Sequence, residues 1–380
     1  FENRKKIFQN VHSRYKFSLL TIGPTKAARK TIFGFFLHDI LDLQDHQRIF
    51  SLTKEDFLNI NPNTKTTPIF RTRYDAELTA KIYSRVPVLI NEEKNQNPWG
   101  ISFMRMFDMS NDSHLFKTEP ELTQMGFTLK GNRFTKGEDM WLPLYEGKYI
   151  WYCDHRYADY YICETRNSTR ELGNEAKEPY GLIIPWYWIN LKDIDRKSDF
   201  NWSVGFRDVT NSTNERSFVP SFTPKAGINH KEPILISVKG TDEIVLLYCC
   251  LSSLCFDYIV RQKLGGTSMT YFYVKQFPVL QPEIFPKRIK NAIQKLGFEL
   301  AYTSWDIKAF ADDLWNKVDQ DLKSLITEQW QENQSETGGN EWIIPDWVEA
   351  YPEIAWEKDD GIPIPPFKWD ENRRARLKAE

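Results

Sequence analysis

The sequence predicts an α+β protein in which a strand-rich middle is followed by a helical C-terminal part. Aromatic and β-branched runs bounded by Gly, Pro, Asn and Asp are typical of strands, and they occur at 99–107, 148–153, 181–189 and 202–210. Apolar residues at helical spacing dominate after residue 240, at 243–263, 287–296 and 306–331. With 380 residues, of which 41% are hydrophobic, the chain can bury a substantial core.

The first elements are predicted from local sequence signals. Two apolar, aromatic runs at 15–23 and 31–39 are separated by residues 24–30, a spacing typical of a β-hairpin with a longer loop. Thr53 is placed to cap a short helix. A second short helix is predicted over 76–85, where a following proline stops it.

The strand-rich middle contains long polar segments between its predicted strands. We expect these segments to be surface loops that reach a partner; they are 91–97, 111–120 and 165–178. Residues 205–217 are predicted to form a strand, a turn and a second strand.

The tail begins with the long apolar helix predicted over 243–263. A glycine pair, Gly265-Gly266, follows and is typical of a helix C-terminus, and 267–277 is rich in strand-favouring side chains. A break at 335–340 precedes an arm at 342–369 in which four tryptophans stand among prolines. The first interpretation of this arm is a brace across domains, and the second is a partner-binding arm.

Composition indicates a globular protein of the cytoplasm. The formal net charge of −2 gives no overall basic character, which argues against indiscriminate coating of nucleic acid. No signal peptide is visible, and the apolar run at 244–260 is interrupted by Ser252, Ser253 and Asp257, so it is interpreted as a buried helix and not as a membrane span.

The cysteines and histidines are not arranged as a metal or disulfide framework. The five cysteines form no Cys-x-x-Cys pair, and their odd number fits a reducing compartment. Cys249, Cys250 and Cys255 are interpreted as small buried hydrophobic residues in preference to a metal or redox site. No zinc site is predicted, although Asp154-His155 beside Cys153 leaves that alternative open.

The segment at 205–217 carries side chains suited to reading bases. Arginine can bond the two major-groove acceptors of guanine and asparagine can read adenine, so the candidates here are Arg207, Asn211, Asn214 and Arg216. The alternative is structural: Asp208 and Glu215 would neutralise the two arginines, and the two asparagines would serve the turn.

Two further cationic sites are candidates for phosphate or base contact. Arg71 and Arg73 precede a predicted helix, where cations and the helix N-terminus both favour anions; solvated surface charges are the alternative. Arg156 lies among tyrosines that could stack on a base, and half-buried strand tyrosines are the alternative there.

A third set of residues carries a resemblance to a known family. The strings are Arg261-Gln262-Lys263, Gly265-Gly266-Thr267 and Lys275-Gln276-Phe277-Pro278. Together they resemble the C-terminal specificity region of N-6 adenine DNA methyltransferases, including the fused type IIG restriction-modification enzymes. Segments 1–23, 61–83 and 205–217 are similar to the same proteins, so the likeness spans most of the chain. The resemblance implies contact with the DNA backbone by Arg261, Lys263, Thr267, Tyr271 and Lys275.

The resemblance also implies an organisation of the chain. Residues 1–45 would be the terminal strands of an upstream methyltransferase domain, or else a hairpin of the recognition domain itself. A β-rich target-recognition domain would cover 46–240, the helical part of the specificity region 241–334, and the arm 335–380.

The catalytic motifs of this family are absent from the sequence. There is no Asn-Pro-Pro-aromatic tetrad and no glycine-rich turn between a strand and a helix. We therefore expect an excised C-terminal part whose S-adenosylmethionine site lies in the upstream domain. Glu175-Ala176-Lys177 has a Glu-x-Lys spacing known from nucleases, but no Pro-Asp pair precedes it suitably, so no nuclease is predicted.

The expected function is noncatalytic recognition of duplex DNA, so that the upstream domain of the same polypeptide can methylate adenine. The parent would be a site-specific adenine methyltransferase of a restriction-modification system. The alternative is a protein-interaction module of a DNA-modification or phage-defence complex. A positive groove lined by Arg207, Arg261 and Lys275 would favour DNA recognition, whereas a large apolar patch near 342–369 would favour docking.

Overall fold

A computed structural model describes residues 1–23, 30–357 and 360–380. Mixed helices and mainly antiparallel strands confirm the α+β class. The strands are β1 (Thr31–Gly34), β2 (Ile49–Leu52), β3 (Ile101–Met104), β4 (Phe116–Lys117), β5 (Thr128–Lys130), β6 (Arg133–Lys136), β7 (Asp139–Tyr145), β8 (Ala158–Asp159), β9 (Arg170–Glu171), β10 (Trp188–Asn190), β11 (Trp202–Phe206), β12 (Pro220–Pro224), β13 (Gly227–Ile228) and β14 (Ile234–Ser237). The helices are α1 (Lys54–Ile60), α2 (Arg73–Tyr83), α3 (Glu119–Gln124), α4 (Leu191–Asp195), α5 (Thr241–Ser252), α6 (Leu254–Lys263), α7 (Tyr271–Val274), α8 (Lys287–Ala301), α9 (Lys308–Lys317), α10 (Gln320–Thr337) and α11 (Glu371–Ala379).

The chain forms two compact units that alternate along the sequence. Unit 1 comprises Phe1–Pro98, Asn211–Ser217 and Leu254–Gln281. Unit 2 comprises Trp99–Thr210, Phe218–Ser253 and Pro282–Glu380. The predicted domains are consecutive segments of the sequence, namely 1–45, 46–240, 241–334 and 335–380. Whether they fold independently stays a prediction.

The hairpin predicted for the first 39 residues is wrong in its pairing. β1 pairs antiparallel with β2, with Thr31 opposite Leu52, whereas residues 15–23 form no strand and contribute only a bridge between Lys16 and Glu2. β2 is the better partner because it buries Phe50 and Leu52. The predicted loop at 24–30 lies, except for its last residue, outside the described residues.

The first short helix of unit 1 begins at its predicted cap, and the second begins earlier than predicted. The Thr53 hydroxyl accepts a hydrogen bond from the backbone N–H of Asp56, and the Asp56 carboxylate accepts one from the N–H of Thr53, so α1 begins with a capping box. α2 starts three residues earlier than predicted because Thr72 accepts from the N–H of Asp75.

The predicted helix at 243–263 is broken in the structure. α5 ends at Ser252 and α6 begins at Leu254, while Ser253 has extended backbone angles and its hydroxyl donates to the carbonyl of Cys250. A serine side chain that bonds its own preceding turn competes with the helix ladder, which is the physical reason for the break. Neither glycine of the pair after α6 has a positive φ, so the helix ends without a left-handed cap.

The strand predicted at 267–277 is also wrong, because the segment contains the short helix α7. Thr270 is extended and precedes the first helical residue, and the Gln276 side chain donates to the carbonyl of Phe272, which supports the turn. Side-chain hydrogen bonds to local backbone override the strand preference of the aromatic residues here.

Unit 2 contains the main sheets. One has the strand order β4-β10-β7-β6-β5, with β13 added in parallel on β7, and the other has the order β12-β11-β14-β3. β3 and β11 confirm the strands predicted at 99–107 and 202–210, whereas only the end of 181–189 is in a strand, β10. Residues 148–153 form no strand, and Tyr149 and Ile150 are completely buried, so the aromatic residues of this run indicate burial and not a strand.

The tail of unit 2 is helical, as predicted, and ends in an irregular arm. The helix predicted at 306–331 is divided into α9 and α10 because Asp319 caps a new helix start, and α10 ends at Gly338, which has a positive φ. The arm at 342–369 includes a short turn of 3-10 helix at Val348–Ala350, and its Trp347 and Tyr351 pack with Trp305 in a core cluster. The arm therefore packs into the core of unit 2, and whether it braces two domains stays a prediction.

In the described part of the chain no single helix has the length and apolarity of a membrane span. The consecutive helices α5 and α6 reach that length and composition only as a broken pair. Many of their apolar side chains, among them Val245, Leu246 and Val260, are buried in the protein.

Candidate nucleic-acid interface

The charges of the chain are divided unequally between the two units. Unit 1 contains 20 Lys and Arg residues and 12 Asp and Glu residues, a formal net charge of +8. Unit 2 contains 30 Lys and Arg residues and 40 Asp and Glu residues, a formal net charge of −10. The overall charge of −2 is therefore the sum of a basic unit and a more strongly acidic one. A concentration of basic charge is the electrostatic property that polyanion binding requires.

Ten of the twelve predicted contact residues lie in the basic unit. They come from three separate stretches of sequence, namely Arg71 and Arg73, then Asn211, Asn214 and Arg216, and then Arg261, Lys263, Thr267, Tyr271 and Lys275. The other two, Arg156 and Arg207, lie in unit 2.

The loop Asn211–Ser217 is held by two residues one turn apart on α6. Asp257 accepts from the backbone N–H of Ser217 at 2.7 Å. Arg261 donates from Nη1 to the carbonyl of Ser212 at 3.1 Å and from Nη2 to the carbonyl of Glu215 at 2.6 Å. Its Nε bonds Asp257 at 2.8 Å, which fixes the guanidinium between the helix and the loop.

The side chains of this loop are in different situations. Asn211 accepts from the N–H of Thr213 at 3.1 Å, so the structural alternative accounts for its side chain. Asn214 and Arg216 are half-buried on the same loop, at positions that Arg261 helps to fix. The loop therefore presents polar groups from a backbone that is anchored near both ends.

Arg71 and Arg73 flank the start of α2 with exposed side chains. The guanidinium of Arg71 lies 4.4 Å from the centre of the Phe36 ring, and Arg73 donates from Nε and Nη2 to the carbonyl of Ile49 at 3.1 and 3.0 Å. Neither contact neutralises the positive charge. Two cations beside the N-terminus of an 11-residue helix form a favourable place for a phosphate.

Lys263 is buried, and its amine joins three parts of unit 1. Its Nζ donates to the carbonyls of Ile60 and Gln276 at 2.9 and 2.8 Å and to the hydroxyl of Tyr83 at 3.1 Å. Burial holds the pKa of Lys263 well below its ordinary value. This geometry supports a structural role for Lys263 and does not present it to DNA.

The last predicted contacts surround α7. Thr267 is exposed after the glycine pair, and Lys275 is half-buried and donates to Glu92 at 2.7 Å. The rings of Tyr271 and Phe272 lie 4.4 Å apart, and Phe272 is more than half exposed. The exposed Phe272 ring could stack on a base, whereas the resemblance implies only backbone contact in this segment, by Tyr271 and its neighbours.

The two candidates in unit 2 differ from each other. Arg156 is buried and donates to the carbonyls of Glu178 and Gly181 at 2.7 and 3.0 Å, so a structural role accounts for it. Arg207 is half-buried with its guanidinium 5.7 Å from the Trp151 ring. Asp208, one of the two carboxylates of the structural alternative, accepts from Lys231 at 2.9 Å.

Sequence analysis missed a buried polar cluster in unit 2 that contains a serine, a histidine and an aspartate. His155 Nε2 lies 3.1 Å from Asp306 Oδ1 and 3.2 Å from Ser304 Oγ. A nucleophilic triad needs the serine and the aspartate on opposite ring nitrogens, and here both contact Nε2. The cluster is therefore structural, and only its three-dimensional contacts reveal it because His155 is 149 and 151 positions from Ser304 and Asp306.

The structure also places the cysteines, the Glu-x-Lys string and the possible metal ligands. Burial raises the pKa of the Cys249 thiol well above its ordinary range and that of Cys250 to about 12, whereas Cys255 is exposed, contrary to its predicted burial. Lys177 of the Glu-x-Lys string is buried against Asp154 at 2.7 Å. Among the described residues no group of three or more His, Cys, Asp or Glu side chains could hold a metal ion.

No protein-family model matches this chain, and a search of curated proteins finds no match. Unit 1, which has the basic charge and ten of the twelve predicted contact residues, is the candidate nucleic-acid interface.

Proposed function

We propose that the chain is a DNA target-recognition module and that unit 1 binds the duplex. The observation that carries this proposal is the +8 charge of unit 1, which collects ten predicted contact residues from three stretches of sequence. Phosphate contacts would come from Arg71 and Arg73, because their charges are exposed and no carboxylate among the described residues forms an ion pair with them. Such contacts position a protein on DNA without reading its sequence.

Base reading is assigned to the loop Asn211–Ser217. Asn214 and Arg216 have the side chains that read adenine and guanine in the major groove. Arg261 and Asp257 fix the loop backbone through bonds to Ser212, Glu215 and Ser217, and a fixed backbone lowers the entropy lost when a side chain meets a base edge. Tyr271 and Phe272 would add stacking or backbone contact.

The family resemblance supplies the biological context of this proposal. The module would belong to an adenine-specific DNA methyltransferase of a restriction-modification system, and the chain itself would be noncatalytic. S-adenosylmethionine would be bound by the upstream domain of the same polypeptide, and the module would hold the duplex while that domain methylates adenine N-6.

The experiment that tests base reading is selection from a random duplex library by the protein, followed by sequencing of the bound fraction. Asn214→Ala should relax preference at one base position, at a cost of about 1–3 kcal/mol for that base. The matched control is Asn167→Ala, at an exposed asparagine of unit 2. Enrichment that is absent, or unchanged in the Asn214 variant, would overturn the assignment.

Protein docking is the second candidate function, and a specific observation favours it. Side chains in the first 45 residues are exposed although they are apolar, including Leu20 at 80%, Ile22 at 84% and Ile32 at 73%. Exposed apolar groups of this kind mark interaction surfaces, and an upstream domain would be one such partner. An apolar patch near 342–369 would also have favoured docking, but most apolar side chains of that segment are buried, with Trp347 at 5%. A chain that binds no duplex at low salt would favour docking.

A further inference from the structure

The N-terminal loop of unit 1 (residues 1–17) is organised around one buried asparagine. Asn3 is completely buried, and its side-chain amide donates to the carbonyls of Phe8 and Val11 at 2.9 and 2.8 Å. Its side-chain oxygen accepts from the N–H of Phe8 at 2.9 Å, and its backbone N–H donates to the carbonyl of Tyr15. Compact surface loops that are packed by their own side chains are frequently functional.

This loop carries half of the net charge of unit 1. It has five Lys and Arg residues and one Glu, a formal net charge of +4 within the +8 of the unit. All five cations are exposed, and they are Arg4, Lys5, Lys6, Arg14 and Lys16. Lys5 lies 3.4 Å from Asp39, but a pair between exposed groups contributes little. Like charges in so short a stretch repel one another, and a polyanion would remove that repulsion.

The carboxylates around the loop are too few to neutralise its cations. Glu2 is shared by two of them, since its oxygens lie 2.7 Å from Arg4 Nε and 3.7 Å from Lys16 Nζ. Neither Lys6 nor Arg14 forms an ion pair with a carboxylate among the residues that the structure describes. An ordered loop therefore presents uncompensated positive charge to solvent.

The ring of Phe36 brings this loop beside a phosphate contact already proposed. The guanidinium of Arg71 lies 4.4 Å from the ring centre, and the ammonium group of Lys16 lies 5.9 Å from it. Phe36 has a positive φ of 55°, which bulky residues rarely adopt, and Arg48 holds it there by donating to its carbonyl at 2.7 Å. Backbone strain that the surrounding structure enforces is concentrated at functional sites.

We propose that the N-terminal loop is a second phosphate-binding element, which contacts the backbone of duplex DNA through Lys6, Arg14 and Lys16. This inference rests on the proposed recognition of DNA by unit 1. Tyr15 is 66% exposed between two of the cations, so its ring lies against a sugar or a base at the same place. Because Asn3 already fixes the loop, little conformational freedom is lost on binding and the contacts add to affinity.

The test compares the salt dependence of duplex binding by wild type and by the Lys6→Gln/Arg14→Gln variant, measured as the anisotropy of a labelled duplex. Each phosphate contact adds about 0.9 to the slope of log K against log salt, so the slope of the variant should be smaller in magnitude by about 2. Lys54→Gln/Lys81→Gln removes two exposed charges from α1 and α2 of the same unit and should keep the wild-type slope. A wild-type slope in the loop variant, or an equal decrease in the control, would overturn the proposal.

Protection of lysines from acetylation tests the location on the unaltered chain. Bound duplex should slow the acetylation of Lys6 and Lys16 several-fold and leave that of Lys54 and Lys81 unchanged, as measured by mass spectrometry of peptides. Unchanged reactivity of Lys6 and Lys16 in a complex that forms would overturn the assignment of the loop and leave DNA recognition by unit 1 standing. Absence of duplex binding by wild type at low salt would instead overturn both.

Discussion

Arg261 and Asp257, one turn apart on α6, together hold the loop Asn211–Ser217. Arg261 Nε donates to Asp257 at 2.8 Å, and from this fixed position its Nη2 donates to the Glu215 carbonyl at 2.6 Å. Asp257 accepts from the Ser217 N–H at 2.7 Å. The family resemblance predicts Arg261 as a DNA contact, whereas its geometry supports a positioning residue that acts through the loop.

Salt dependence distinguishes these two roles of Arg261. Arg261→Gln should weaken duplex binding because the loop loses two anchoring bonds, but the slope of log K against log salt should stay at the wild-type value. A direct phosphate contact would instead reduce the slope by about 1 when it is removed. Fluorescence anisotropy with a labelled duplex at several salt concentrations measures the slope. Arg196→Gln, at an exposed arginine of unit 2, is the control.

Lys263 should stabilise unit 1 without contacting DNA. Lys263→Met removes a donor from the carbonyl of Ile60 and should lower the free energy of unfolding by about 1–3 kcal/mol. Lys81→Met, at an exposed lysine of α2, should change it by no more than about 0.5 kcal/mol. Urea denaturation measures both. Equal stability of the two variants would refute the structural role of Lys263.

Glu232 should make stability depend on pH. Its carboxyl is completely buried, one oxygen accepts from Thr223 at 2.7 Å, and burial raises its pKa to about 8. Between about pH 4.5 and 8 the folded state keeps a proton that the unfolded state releases, so stability falls as pH rises through this window.

Glu232→Gln keeps the shape of the side chain and removes its titration. The free energy of unfolding of the variant should not decline with pH in this window. At pH 8 it should exceed that of wild type by up to a few kcal/mol, since one unit of pKa shift corresponds to about 1.4 kcal/mol. Urea denaturation at a series of pH values provides the comparison, with Glu164→Gln at an exposed position as the control. Parallel pH profiles for wild type and Glu232→Gln would contradict the prediction.

Cysteine reactivity should follow burial. Iodoacetamide should modify the exposed Cys255 in the native protein much faster than the half-buried Cys249 and Cys250, because burial raises the pKa of both of these thiols. Mass spectrometry of peptides from native and unfolded samples provides the test. Native labelling of Cys249 at the rate of Cys255 would show that α5 is not packed as described.

The sequence predicted those features that depend on local chemistry. Thr53 caps α1 because its hydroxyl reaches a backbone N–H three residues away, and α9 and α10 follow the predicted apolar spacing. The break at Ser253 and the helix α7 were missed because side-chain hydrogen bonds to nearby backbone outweighed apolar pattern and strand preference.

The candidate site was predicted in its residue types but not in its assembly. Arg71, Asn214 and Lys275 belong to one basic unit that is built from three stretches of sequence. An overall charge of −2 gave no sign of it, since the acidic excess of unit 2 conceals the basic excess of unit 1. The burial of Arg156 and Lys263 depends on partners far away in sequence, and spacing carries no such information.

The most direct test of DNA recognition by unit 1 is the salt dependence of duplex binding by the Arg71→Gln/Arg73→Gln double variant. Wild type should bind duplex at low salt, and its binding should weaken steeply as salt rises. In the double variant the slope of log K against log salt should be smaller in magnitude by about 2. A matched double variant of unit 2, Lys192→Gln/Arg196→Gln, should bind like wild type. No binding by wild type at low salt, or the same slope in all three proteins, would contradict the proposal.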